Sequence, residues 1–231
     1  MCSTLAAFNK LFIRRSKMDK KVYSISLEKN PLISMKVIPG HFTTSHSHIS
    51  HFIDLNVMKS NALIARDIAR ELATPYMVST TVDTIVCMEK TEVVGAYLAE
   101  EIYQEGMPPF NNSGEIHVVT PINNANGNLL CFQGSAIELI AGKNTVLLVA
   151  SMSSGQTVKK ALDCIAFYGG KVVGISALFL ASPEKQEREI HALFTSEDIP
   201  DYKIMNINEC DMCKSGKKLD AIVSSEGYTE I

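Results

Sequence analysis

Two rhythms of apolar positions organise this chain. Between residues 65 and 72 the apolar residues Ala65, Ile68, Ala69 and Leu72 recur at helical spacing, while Arg66, Asp67, Arg70 and Glu71 fill the other face. That pattern predicts an amphipathic helix capped at Ser60, running to about Leu72 and stopped by Pro75. A second helix is expected from about Glu92 to Gln104, closed by Gly106, Pro108 and Pro109. A third is expected from about Thr157 to Tyr168, with Val158, Ala161, Leu162 and Ile165 as its buried stripe and Gly169-Gly170 as its stop. In the other rhythm apolar residues run on almost without a break: Asp83 to Met88, Glu115 to Thr120, Thr145 to Val149 and Lys171 to Leu180. Strands with no polar face are buried on both sides. Their alternation with helices predicts an α/β fold, a central, mainly parallel sheet flanked by helices. Residues 21–57 are mixed and β-prone, with Pro39 and Gly40 marking a turn, and residues 121–136, rich in Asn and Gly, read as a mobile excursion.

Composition narrows this picture a little. The 231 residues, 46% hydrophobic and 20% charged, suit one large domain or one domain with a small appendage. A net charge of -3 argues against a nucleic-acid partner, and no apolar run approaches the roughly 20 residues that cross a bilayer, so no membrane partner is expected. The cysteines mostly sit inside apolar runs, as Cys87 does in Thr84-Ile85-Val86-Cys87-Met88, which is how buried free thiols look. A reducing, cytoplasmic location is the default. Residues 1–17 carry Lys10, Arg14, Arg15 and Lys17 and no acid, a weak likeness to a transit peptide. The plainer reading is a disordered extension ahead of Met18, outside the fold.

The loop after Val149 carries the first candidate chemistry. An apolar strand, the stretch Ser153-Ser154-Gly155-Gln156-Thr157 and a helix start together make an anion site, because loop amides and a helix N-terminus offer partial positive charge. Gly155 allows close backbone approach, and the hydroxyls of Ser153, Ser154 and Thr157 donate hydrogen bonds. An ordinary βα loop with a Thr cap fits the same local spacing. Neither a P-loop nor a G-x-G-x-x-G stands after a strand.

The whole stretch from Val146 through Ala150-Ser151-Met152-Ser153-Ser154-Gly155-Gln156-Thr157, with Ala161-Leu162 and Tyr168-Gly169-Gly170 behind it, resembles the signature of type I phosphoribosyltransferases. That resemblance implies a loop holding the 5′-phosphate of phosphoribosyl pyrophosphate (PRPP) or of a nucleotide. Phe42-Thr43-Thr44-Ser45-His46 through Ser50-His51-Phe52-Ile53-Asp54 is similar to the N-terminal segment of the orotate branch, which forms part of a hood over the base. Leu219-Asp220-Ala221-Ile222-Val223 through Gly227-Tyr228 would complete the hood. The resemblance implies an N-terminal hood segment at 18–57, a core at 58–195 and a C-terminal hood segment at 196–231. It also implies Lys90 and Thr91 as pyrophosphate ligands, Ser45, His46 and His48 as base contacts, magnesium as cofactor, and a homodimer. The chain departs from the family at three places. Ala150 and Ser151 stand where the family has two acids, Glu89 and Glu92 flank Lys90 and Thr91, and residues 121–136 hold no Lys or Arg, only ligands such as Asn123, Asn124, Asn126, Asn128 and Gln133. Amides cannot neutralise a departing pyrophosphate, and lost acids cost electrostatic stabilisation of a developing cation.

His41, His46, His48 and His51 lie within eleven residues. In an extended segment His46 and His48 point the same way, as surface decoration, base contacts or metal ligands. Cys210 and Cys213 form a single Cys-x-x-Cys: a structural turn, half a zinc site or a redox pair. A mixed zinc site of His46, His48, Cys210 and Cys213 would join both hood segments. Three functions stay open. One is an orotate phosphoribosyltransferase-like enzyme of pyrimidine nucleotide metabolism, transferring phosphoribosyl to a base. Another is a catalytically impaired sensor of PRPP or a nucleotide. The third is a hydrolase or lyase on a ribose-5-phosphate compound.

Overall fold

Where apolar residues fill both faces of a strand, both faces must be covered, and the computed structural model shows how. It describes residues 22–77, 80–105, 115–123, 129–153, 155–182, 189–224 and 227–231. The expectations for the extension at 1–17, for the helix stop at 106–109 and for Ser154, Asn124, Asn126 and Asn128 lie outside those residues. The central sheet joins β4 (Thr84–Cys87), β5 (His117–Val119), β8 (Asn144–Met152), β9 (Lys171–Leu180) and β10 (His191–Thr195). Its order is β10-β9-β8-β4-β5 and every pairing is parallel.

Strand geometry alternates side chains between faces, and the core divides accordingly. Ile85, Cys87, Val146 and Leu148 pack with α2 (Ala62–Ala73) and α3 (Glu92–Glu105) through Ile68, Leu72, Val94 and Leu98. Val86, Leu147 and Val149 face α4 (Gln156–Phe167) through Val158, Ala161 and Ile165. No described helix is long and apolar enough to cross a membrane.

The helix around Ala65 differs from expectation at its start. A short α1 (Asn56–Ser60) precedes α2, and Asn61, not Ser60, is the cap; its Oδ1 accepts from Leu63 N at 3.0 Å and Ile64 N at 3.3 Å. Ser60 Oγ instead donates back to Asn56 O at 2.7 Å. Between β5 and β8, β6 (Ile122–Asn123) and β7 (Leu130–Cys131) form a two-stranded antiparallel ribbon within the stretch 121–136 expected to be one excursion.

A second sheet gathers both ends of the chain. It holds β1 (Tyr23–Leu27), β2 (Asn30–Thr43), β3 (His48–Asp54), β11 (Ile204–Met205), β12 (Ala221–Ser224) and β13 (Gly227–Glu230). Its order is β11-β3-β2-β12-β13, with β1 on the first half of β2. Pro39 and Gly40 are no turn: they sit inside β2, where the register with β3 shifts between Pro39 and Phe42. The two faces of β2 serve different neighbours. Ile33, Met35 and Val37 join the main core, while Ile38 and Phe42 join a separate small cluster with Ile49, Phe52 and Ala221. A Cβ on Gly40 would lie 2.6 Å from the Phe42 ring, so glycine lets that ring fold back over the strand. This six-stranded sheet is built from the two segments expected to form the hood, and is called the hood below.

Candidate functional site

Open parallel sheets place ligands beyond the carboxyl ends of their strands. Here β4 and β8, hydrogen-bonded neighbours, end side by side. After Met152 the chain runs through Ser153 to Gly155, which caps α4 with φ of 74°. That left-handed conformation suits glycine, and a Cβ there would approach Met152 Cε at 3.2 Å. Ser153, Gln156 and Thr157 are exposed around it. A cavity of about 70 Å³ lies against Ser153, Gly155, Gln156 and Thr157 and reaches Glu89 and Ser151.

The end of β4 is strained. Glu89 and Lys90 both have positive φ, 56° and 65°. Two consecutive left-handed residues with side chains cost about 1 kcal/mol or more each, and they persist only where the surroundings hold them. The surroundings do so from three directions. Lys59 Nζ, buried beneath, donates to Glu89 O at 3.0 Å. Glu89 Oε2 accepts from Ser151 N at 2.9 Å. Thr91, fully buried, donates its hydroxyl to Met88 O at 2.9 Å and Leu148 O at 3.3 Å. The Thr91 hydroxyl therefore braces β4 against β8 and faces inward, while the exposed Lys90 lies on the solvent side of the turn. Burial pushes the Glu89 carboxyl up from its ordinary range; the Ser151 amide and Lys59 pull the other way without cancelling it.

That carboxylate was missed in the sequence. Ala150 is buried and Ser151 carries no charge, yet Glu89 brings an acid from the adjacent strand to the backbone of Ser151. Only the parallel pairing of β4 with β8 makes this visible.

A second cavity, about 110 Å³, opens between this floor and the hood, and Glu89, Ser151, Met152 and Ser153 line both spaces. On the hood side it meets His51, Phe52, Asp54, Tyr202 and Val223. His51 stacks on Tyr202 with ring centroids 6.0 Å apart and planes at 23°, and its Nδ1 pairs with Ser50 Oγ at 2.7 Å. Burial lowers its pKa, offset in part by Asp201. Among the described residues lining the two cavities, Lys59 is the one lysine or arginine, against Asp54 and Glu89.

Ser45, His46 and His48, the base contacts expected from sequence, are not among the residues lining either cavity. Ser45 and His46 are exposed on the turn between β2 and β3, which Thr44 Oγ1 closes through Ser47 N at 3.0 Å. Because the chain turns there, His46 and His48 do not share a strand, and the period-two argument fails for them. His48, on β3, points instead toward His41 on β2 and toward Cys210 and Cys213. The four-residue cluster thus contains His41 where the sequence suggested His46. The hydrogen-bonded β2–β3 ribbon, which brings His41 beside His48, is the missing information.

No family profile matches this chain, and no curated protein matches it significantly. Solved structures do. UMP synthase from Leishmania donovani is 20% identical with a TM-score of 0.52; the match covers 71% of this chain and 34% of that one, about a third of its length. A phosphoribosyltransferase from Corynebacterium diphtheriae is 15% identical with a TM-score of 0.50, covering 69% of this chain and 90% of that one. The fold is therefore that of the type I phosphoribosyltransferases, with the parallel sheet between helices.

Proposed function

We propose that this chain binds a 5-phosphoribosyl compound, PRPP or a nucleotide, in the cleft between the parallel sheet and the hood. The observation that carries the reading is the continuity of the two cavities through Glu89, Ser151, Met152 and Ser153. One end offers amides, hydroxyls and the start of a twelve-residue helix, suited to a terminal phosphate. Ser153, Ser154, Gly155, Gln156 and Thr157 would hold that phosphate. The middle offers the Glu89 carboxylate, suited to ribose hydroxyls. The far end offers the flat His51–Tyr202 pair and Phe52, suited to a base.

Magnesium suits this cleft. Glu89 on the floor and Asp54 on the hood side are hard oxygen donors, and one or two carboxylates with a substrate phosphate form the usual magnesium environment. Bound there, the ion would supply charge neutralisation for a pyrophosphate. The chain's own residues would orient the sugar: Glu89 accepts from it, Lys59 fixes Glu89's backbone, and Lys90 reaches outward as a pyrophosphate contact. Phosphoribosyl transfer to a pyrimidine-type base such as orotate is the activity this arrangement suits. A developing positive charge on the sugar would lie near the Glu89 carboxylate. A sensor that binds without turnover is the second reading, favoured by Lys59 being the one lysine or arginine among the described residues of the cavity walls. The protein would act as a cytoplasmic homodimer, which light scattering and cell fractionation test.

The deciding experiment is a thermal shift panel with PRPP, orotidine monophosphate and other nucleotides, with and without magnesium, alongside pyrophosphate release with orotate. Stabilisation with release is the expected result. Stabilisation without release selects the sensor, and no stabilisation by any phosphoribosyl compound overturns the proposal.

A further inference from the structure

Outside the cleft, near the β2–β3 turn of the hood, four metal-binding side chains face one another. His41 lies on β2, His48 on β3, and Cys210 and Cys213 on the turn that leads to β12. His41 Nε2 is 3.1 Å from His48 Nδ1, 3.4 Å from Cys210 Sγ and 3.7 Å from Cys213 Sγ; Cys213 Sγ is 3.4 Å from His48 Nδ1. All four atoms lie within 4.8 Å of one another. A tetrahedral zinc ion with its usual bond lengths would set N···N near ~3.3 Å and N···S near ~3.6 Å. The four measured edges sit within a few tenths of an ångström of those values.

Hydrogen bonding alone does not account for the arrangement. His41 Nδ1 faces the carbonyls of Lys217 at 2.9 Å and Lys218 at 3.2 Å, so Nδ1 carries the proton and Nε2 presents a lone pair. That one lone pair faces three neighbours, two thiols and the second imidazole. The same contact is the outer support a zinc-bound histidine ordinarily has, since it fixes the tautomer and the ring plane. The cysteine pair has its own support, because Cys213 N points at Cys210 Sγ at 3.5 Å. His41, His48 and Cys210 are buried and Cys213 is exposed, which leaves an entry path.

We propose that His41, His48, Cys210 and Cys213 bind one zinc ion, a closed structural site that fastens the C-terminal segment to the β2–β3 ribbon. Four protein ligands leave no open position, so the ion holds structure and takes no part in chemistry. This inference does not rest on the phosphoribosyl reading, and its test needs no nucleotide.

The full-length protein, purified without a metal-affinity tag after growth with zinc, should carry roughly one zinc per chain by elemental analysis. After chelation, titration with cobalt should give the visible bands of a tetrahedral site with two sulfurs and two nitrogens. Cys213→Ser, at the exposed ligand, should reduce zinc content at least tenfold, whereas His46→Ala should leave it unchanged. Should the serine variant fold poorly, the cobalt spectrum of the unaltered chain decides alone. Under roughly 0.1 zinc per chain with no cobalt spectrum overturns the proposal. So does a Cys210–Cys213 disulfide, seen as a mass two daltons lower.

Discussion

Glu89 concentrates most of what is unusual about the cleft. Its backbone is left-handed, its carbonyl is held by Lys59 and its carboxylate is tied to Ser151. In sequence it is only an acid in the wrong place beside Lys90, because nothing local reveals that the end of β8 lies next to it. Its effect on stability has a definite sign. Burial raises the native pKa above the unfolded value of ~4.3, so the folded protein holds this proton more tightly than the unfolded chain. The contribution is fully present below the unfolded pKa and is lost as pH rises through the native pKa. Urea denaturation of wild type and Glu89→Gln between pH ~4.5 and ~8 should show the difference moving toward the glutamine variant as pH rises. A difference independent of pH would mean that the carboxyl is fully hydrated. In ligand binding the ranking should reverse above the native pKa: there Glu89→Gln should bind nucleotide about tenfold or more weakly, by calorimetry, since an ionised acceptor makes stronger hydrogen bonds than an amide.

Among the elements, those whose apolar pattern is complete could be foreseen, and those set by partners could not. β9 has the same bounds in sequence and structure, and α4 differs by a residue at each end, because burial on both faces or along one stripe writes itself into consecutive residues. The cap of α2 was misplaced by one residue, because Ser60 and Asn61 are both good caps and only hydrogen-bond geometry separates them. Asn61→Ala should therefore cost about 1 kcal/mol in chemical denaturation and Ser60→Ala markedly less. The reverse order would return the cap to Ser60. Gly155 opens α4 in a left-handed conformation beside the phosphate-sized cavity, so Gly155→Asp adds both strain and a negative charge there. Its expected result is loss of the nucleotide-induced thermal shift, with the far-ultraviolet circular dichroism of the unliganded protein retained. An unchanged shift would put the phosphate elsewhere. Across the sheet, Tyr76 lies directly on the bare backbone of Gly174 and bonds Ser176 Oγ at 2.7 Å, and its burial pushes the phenol up to about 12. Gly174→Ala has no room for its methyl group and should cost about 1–3 kcal/mol.

At the scale of the whole molecule, two cores of very different size share the long strand β2. The parallel sheet is buried on both faces by helices, whereas the hood's own cluster has, among the described residues, five that are buried, Ile38, Phe42, Ile49, Phe52 and Ala221. The sequence made the first legible through continuous apolar strands. It hid the second, because Pro39-Gly40 looks like a turn and because β12 pairs with β2 across most of the chain, with β13 beyond it. A cluster this small gains from further support, and metal clips serve that purpose in small domains. The cluster joins residues 41 and 48 to 210 and 213, and such a long closed loop restricts the unfolded ensemble strongly. Removing the ion should therefore act unequally on the two sheets. Hydrogen exchange of chelated against zinc-loaded protein should show faster exchange in β3, β12 and β13, with β4, β8 and β9 unchanged. Nucleotide binding should weaken in parallel, because His51, Phe52 and Val223 reach the cleft from those same hood strands. Equal protection of both sheets after complete metal removal would mean that the hood stands on its own packing, and the cluster would lose its structural role even with zinc bound.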